Sequence, residues 1–403
     1  MKAHLVFDMA AQKAKVDATV LFHSGTEKGN PIFDLRQEIN EAYINDTIIT
    51  SEKMRHHDFG GGSNSELRVL QTIIEPETEN VLKLVYELNQ PQCPASQPIG
   101  WDGTHVYFEF WFSDLYPARY LEMWFPSNLI YDKFKFDLDI EIINTDIDHV
   151  LFSNGKKNSI NQNHWIVEFP ERFTSLSPML CLIAANRIEH MQEGLSLNDT
   201  TELVLDIFKL KSTPIDLTMV EKRIRDYITD NVKNIGPYAH GKEFTAFLWT
   251  NTAGRSMEYE GAVTTELAAL KHEVFHSWFA RALKPASQND AWMDEGWTVY
   301  NTDPNFLPLQ TFALSDPPVV LSSSNPFNRI TPSNAYQDGS RFFGTIAELV
   351  GTDNLRTYMN SFYRENMGLL ATTEQLKEYL IEASGINGVT EYFDRFVYGK
   401  MNP

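Results

Sequence analysis

Two histidines four residues apart flank a glutamate in His272-Glu273-Val274-Phe275-His276, and a further glutamate, Glu295, lies nineteen positions beyond His276. No other stretch restricts the fold as much. Residues four apart stack on one face of a helix, so both imidazoles reach one point only if this segment is helical. Glu295 reaches the same point only if Trp292 to Tyr300 forms a second helix that returns alongside the first. Two imidazoles and a carboxylate are a donor set for zinc, which in catalytic sites keeps its fourth position for water. Glu273, about 100° round the helix from His272, faces the open side of such a metal. The plain alternative is a helix carrying these residues by chance. A chance H-E-x-x-H is an event of about a few per cent for such a chain, and a third donor on a helical pattern lowers it further. One zinc ion per chain, held by His272, His276 and Glu295, is the expectation.

Zinc held in this way lowers the pKa of its water from about 15.7 toward roughly 7. Glu273 is placed to accept that proton and to pass it to a leaving amine. The reaction class is hydrolysis of an acyl bond, most simply a peptide. Negative charge developing on the carbonyl oxygen needs a donor. Tyr300, Tyr336 and Tyr358 all follow the motif, and spacing alone does not choose among them.

The chain of 403 residues is too long for one ordinary core, so two domains are expected. Its 42% apolar and 12% aromatic content can fill them. A net charge of −20 argues against nucleic acid as a partner. It suits a cationic ligand such as a peptide with a free amino terminus, and equally serves solubility alone. Cys93 and Cys181 make no disulfide framework, which fits a reducing compartment. The first residues enter strand-like alternation without a signal-peptide segment, and the apolar run from Met179 to Ala185 is too short to span a bilayer. A cytoplasmic protein with no membrane partner is expected.

Up to about residue 190 the pattern is that of strands. Lys15 to Phe22, Val81 to Tyr86, His105 to Phe112 and Phe134 to Ile142 alternate polar and apolar residues. Breakers at Gly60-Gly61-Gly62, Pro91 to Pro94 and Ser153-Asn154-Gly155 separate them. This predicts a large antiparallel sheet or sandwich over residues 1–192. Residues 193–403 read as mainly helical, so the fold class is α+β. Helices are predicted over Leu217 to Val232, Thr265 to Leu283, Arg341 to Val350, Leu355 to Glu365 and Thr373 to Ala383. Thr264 would cap the second, with Leu267, Leu270, Val274 and Trp278 as its buried stripe and Pro285 after its end. Thr372 and Gln375 form a capping box for the last, which closes near Gly385.

The chain resembles the catalytic portion of the aminopeptidase N family of gluzincins, which includes leukotriene hydrolase. The resemblance rests first on His272 to Trp278 with Trp292 to Tyr300. It extends to Asn234-Ile235-Gly236-Pro237-Tyr238, to Ser153-Asn154-Gly155 with Phe173 to Met179, and to Tyr392 to Gly399. It implies an N-terminal β saddle followed by a thermolysin-like catalytic domain, and a peptidase releasing N-terminal residues. Ala335-Tyr336-Gln337-Asp338-Gly339 resembles the segment whose tyrosine stabilises the oxyanion, which points to Tyr336. Asp338 replaces that segment's usual lysine. Gly254-Arg255-Ser256-Met257-Glu258-Tyr259-Glu260 resembles the motif that binds the substrate's amino end, which implies Met257 and Glu258, or Glu260, as substrate-binding residues. A serine replaces its glycine and a tyrosine its asparagine, and the step from Glu258 to His272 is fourteen, shorter than usual in the family. Leu283-Lys284-Pro285 resembles the related glycyl aminopeptidases.

The resemblance also implies that the helical domain which usually covers the cleft is missing. A more open site is then expected, or a second copy of the chain supplying the wall. Two other readings follow: a zinc endopeptidase or leader-peptide processor, favoured by the altered motif and open cleft, and a scaffold that uses the fold without catalysis. Other residues read more plainly. His56-His57 belongs to a loop beside glycines, Trp278, Trp292 and Trp297 to the core, and Arg329 and Arg341 to helix surface.

Overall fold

The structure is a computed structural model that describes residues 1–401 except 61–65, 90–97, 117–118, 199–200, 250–255, 304–310 and 326. The glycine run after Gly60, the breaker Pro91 to Pro94 and Cys93 within it lie outside the described residues. The chain divides into two compact units, Met1–Glu189 with Leu210–Ser212, and His190–Lys209 with Thr213–Pro403.

The first unit is built from strands, as alternation predicts. Its largest sheet has eight strands in the order Lys156–Asn161, His164–Phe169, Phe136–Ile143, Lys2–Asp8, Lys13–His23, Glu79–Leu88, Ile39–Ile44 and Thr47–Ile48. Every pairing is antiparallel except Lys2–Asp8 with Phe136–Ile143, which is parallel. A four-stranded sheet lies against it, with Val106–Glu109 near its centre. Period-two patterning gives the large sheet one apolar face, whereas the inner strand Leu180–Ala184 of the small sheet is buried at every position. Phe7 of the large sheet meets Phe108 of the small one at 5.3 Å between ring centroids. The strand predicted over His105 to Phe112 stops at Glu109, and Trp111 takes φ +50°, which no strand residue can hold. His56 and His57, read as a loop, belong instead to the strand Met54–Asp58, where they pair with Arg68 and Leu67.

The second unit is a five-stranded sheet with helices. The strand order is Ile188–Asn198, Thr201–Leu210, Glu243–Trp249, Ala262–Glu266 and Met257–Tyr259, the last at the edge and antiparallel to its neighbour. Helix α1, Leu217–Asn234, is capped by the Asp216 carboxylate, which accepts from Thr218 N–H, and buries Leu217, Val220, Ile224 and Ile228. Helix α2 is Leu270–Phe275 and α3 is Trp292–Thr302. Then follow α4, Gln337–Val350, α5, Thr352–Asn366, α6, Thr373–Ser384, and α7, Val389–Phe396. The predicted capping box on α6 forms, and Gly385 ends that helix in the left-handed region at φ +67°. Among the described residues no helix is long and apolar enough to cross a membrane.

One predicted helix is much shorter than expected. The span from Thr265 to Leu283 is helical only over Leu270–Phe275. At its start, Thr264 and Thr265 belong to the strand Ala262–Glu266 and pair with Phe247 and Leu248, so Ala269, not Thr264, precedes the helix. At its end Ala280 takes φ +135°, and Arg281 N–H returns to the His276 carbonyl. Of the predicted stripe, Leu270, Val274 and Trp278 are buried, while Leu267 is half-buried, and Leu267 and Trp278 fall outside the helix.

Candidate metal centre

The short α2 and the buried α3 bring three donors together. His272 and His276 stand four apart at the end of α2, with their Nε2 atoms 3.0 Å apart. Glu295 Oε2, from the first turn of α3, lies 3.2 Å from His272 Nε2 and 3.4 Å from His276 Nε2. Among the described residues this is the one cluster of three or more such side chains placed to hold a metal. Zinc with ligand bonds near 2.0–2.1 Å sets tetrahedral ligands about 3.3 Å apart, and the three distances match that edge. Two imidazole nitrogens and a carboxylate at this spacing repel one another unless protons or a cation lie between them, so the donor set fits zinc.

The surrounding groups fix these side chains. His276 Nδ1 lies 3.0 Å from the Phe279 carbonyl and 3.3 Å from Thr298 Oγ1. A carbonyl only accepts, so Nδ1 carries a proton and Nε2 is the atom turned to the cluster, as a ligating histidine requires. Burial opposes charge on His276, yet the carboxylates of Glu258 and Glu295 outweigh it and hold its pKa well above the ordinary value. Burial likewise opposes the Glu295 anion, but the two imidazoles keep its pKa well below that of a usual carboxylate. The local field therefore favours positive charge at the cluster.

Tyr336, directly before α4, donates from its hydroxyl to Glu295 Oε1 at 2.8 Å, and its ring stacks near His272 with centroids 6.2 Å apart. Of the three tyrosines left open by spacing, this is the one beside the donors. Tyr300 instead stacks on Trp297, and Tyr358 packs against the core. Glu273 is buried on α2, next to His272. α3 and α4 meet at two glycines. A Cβ on Gly296 would lie 2.7 Å from the Gly339 carbonyl carbon, so only glycine permits this approach. Trp292 on α3 donates to Thr373 Oγ1, and Asp290 accepts from both the N–H and the hydroxyl of Thr373, tying α3 to the start of α6.

Met257, Glu258 and Glu260 are all buried on or just after the edge strand Met257–Tyr259. Gly254 and Arg255 of the same motif lie outside the described residues. Arg281 donates to Glu258 Oε1 at 2.7 Å and to its backbone carbonyl at 3.2 Å. Lys284 donates to Glu260 Oε2 at 2.9 Å, and His240 Nδ1 stands 3.9 Å from Glu260 Oε1. Burial opposes the Glu260 anion, but His240 and Lys284 bring its pKa down to about 2. Sequence reasoning did not foresee these partners. The available signal was two cations, at 281 and 284, leaving the histidine motif, matched by two buried acids at 258 and 260. Arg341 donates to Asp316 and to the Thr311 carbonyl, while Arg329 is buried and not on a helix surface.

No family model matches the chain, and no curated protein matches it in sequence. Solved structures do match in fold. An M1 zinc metallopeptidase from Deinococcus radiodurans superposes with a TM-score of 0.67 at 15% identity, covering 100% of this chain and 94% of that one. A point mutant of that protein bound to a Tyr-Ser-Ala substrate superposes with a TM-score of 0.65 at 16% identity over the same shares. Legionella pneumophila aminopeptidase A in complex with aspartic acid gives a TM-score of 0.69 at 13% identity, over 98% of this chain and 49% of that one. The chain has the two-domain fold of the M1 zinc metallopeptidases, a sheet-rich N-terminal part followed by a helical one.

Proposed function

We propose that this chain is a zinc-dependent metallopeptidase of the M1 aminopeptidase type. The observation that carries the reading is the convergence of His272, His276 and Glu295 on one point at the spacing of tetrahedral zinc ligands. Zinc bound there supplies a Lewis acid and a water acidified to near neutrality. Glu273 takes up the proton of the attacking water and returns it to the leaving amine. Tyr336 turns its hydroxyl from Glu295 Oε1 toward the carbonyl oxygen of the scissile bond as negative charge develops there. A peptide substrate is supported by the matching structures, one of which holds Tyr-Ser-Ala and another L-tryptophan.

Release of N-terminal residues is the finer reading that these structures support, with Glu258 or Glu260 and Met257 at the substrate's amino end. A second reading, cleavage without need of a free amine, is favoured by one observation: both carboxylates already face buried cations.

The experiment is the Glu273→Gln substitution. Metal analysis by mass spectrometry is expected to find one zinc per chain in both forms, while turnover of peptides drops about 10²–10⁴-fold. Hydrolysis within tenfold of the parent removes Glu273 from the role, and a parent chain that retains no zinc supports the scaffold reading instead.

A further inference from the structure

We infer that Arg281 and Lys284 cancel the charge selection at the substrate's amino end, so the site accepts peptides whose nitrogen there is an uncharged amide. This rests on the peptidase reading and names the substrate class for the same site. Each acid that the motif offers for an ammonium is paired inside the protein. The Glu258 and Arg281 side chains are 6% and 3% exposed and lie 2.7 Å apart, and those of Glu260 and Lys284 are 3% and 5% exposed at 2.9 Å. Exposed pairs are loosened by solvent, but pairs buried to this degree hold their geometry and their opposed fields.

The consequence is electrostatic. An ammonium about 4 Å from a lone carboxylate is attracted as the inverse of that distance. A cation about 3 Å behind the carboxylate removes more than half of that attraction. The ammonium still loses its water on entry, so little preference over an amide remains. An acylated amino end, or an interior segment of a longer chain, gives up only the weaker hydration of a neutral amide. The cations come from the segment leaving α2, where the turn at Ala280 directs residues 281–284 against the edge strand. The helix bearing the metal-binding histidines thus continues into the residues that set the charge at the amine position.

The test is binding, not turnover. Zinc-loaded Glu273→Gln protein is titrated calorimetrically with Tyr-Ser-Ala and with its N-acetyl form. The two dissociation constants are expected to differ less than tenfold. Adding Arg281→Gln exposes the Glu258 charge and is expected to shift the ratio at least tenfold toward the free amine. Adding Arg281→Gln and Glu258→Gln together removes both charges of the buried pair, is expected to leave the ratio within threefold, and serves where Arg281→Gln alone does not fold. A preference of tenfold or more for the free amine before either addition overturns the inference, as does a ratio that moves more than threefold when both charges are removed. Zinc-loaded protein that binds neither peptide defeats the peptidase reading itself, and this inference with it.

Discussion

Gly296→Ala tests whether the crossing of α3 and α4 sets the metal centre. Two effects oppose each other. Alanine in a helix interior is favoured over glycine by roughly 0.5–1 kcal/mol. Against that, the new Cβ would lie 2.7 Å from the Gly339 carbonyl carbon, 2.8 Å from its Cα and 3.1 Å from its oxygen, all backbone. Ordinary carbon contact begins near 3.5 Å, so the helices must separate by roughly 0.8 Å. Overpacking of this kind costs about 1–3 kcal/mol, and the clash outweighs propensity. For a domain of this size, a net loss of about 1–2 kcal/mol lowers Tm by roughly 2–8 °C. The larger effect falls on the site. Glu295 is the neighbour of Gly296, and its 2.8 Å bond to Tyr336 spans the same crossing. Displacement by most of an ångström breaks that bond and draws Oε2 away from the imidazoles, for which about 10–100-fold in zinc affinity is the expected loss. Chelator competition measures the affinity and calorimetry the Tm. Gly339→Ala meets the same contact from the other helix, 2.9 Å from Gly296 Cα. The two substitutions should therefore be less than additive, since one separation relieves both. An alanine at 296 that raises Tm and leaves zinc affinity within twofold refutes the reasoning.

Two further outcomes concern stability. Glu260 has a folded pKa of about 2 against an ordinary value of 4.5. A depressed pKa contributes stability above the unfolded value, and that contribution is lost as pH falls from about 4.5 toward 2, in all about 3 kcal/mol. Urea unfolding between pH 6 and pH 3 should show about 2 kcal/mol of this loss, since a group with a folded pKa of about 2 is still mostly ionised at pH 3, and Lys284→Met should flatten it; parallel curves for the two proteins disprove the assignment. Asp290→Ala strands the Thr373 N–H and hydroxyl that now bond to its carboxylate at 2.7 and 2.8 Å. A destabilisation of about 1–3 kcal/mol is expected from the orphaned donors, and unfolding unchanged within 0.5 kcal/mol, roughly the scatter of neutral surface changes, counts against it.

The sequence was most readable where one periodicity ruled. Alternation from Lys13 to His23 and from Phe136 to Ile143 buries every second residue along most of both strands, so strand type and facing followed directly. The donor trio was readable for a related reason: a spacing of four on a helix fixes where two side chains meet, whatever surrounds them. Three features depended instead on residues far apart in the chain. Lys2–Asp8 pairs in parallel with Phe136–Ile143, and no local pattern distinguishes parallel from antiparallel partners. Gly296 and Gly339 carry no side-chain signal of their close approach. The helix limits at 270 and 275 were set by strand pairing before them and a turn after them, both of which override propensity.

That turn explains why so short a helix suffices. Ala280 at φ +135° occupies a region that costs a non-glycine residue about 1–3 kcal/mol, and the surroundings must hold it there. Several bonds do so: Arg281 N–H to the His276 carbonyl, His276 Nδ1 to the Phe279 carbonyl, and the ion pairs of Arg281 and Lys284 to the edge strand. His240 adds a bond to the Ser277 carbonyl at 2.7 Å. A continuous helix would carry Arg281 and Lys284 away along its axis, leaving Glu258 and Glu260 buried without them, which is far costlier than the strain. The strained turn therefore serves both acids at once, and the same bonds keep His276 aimed at the metal position.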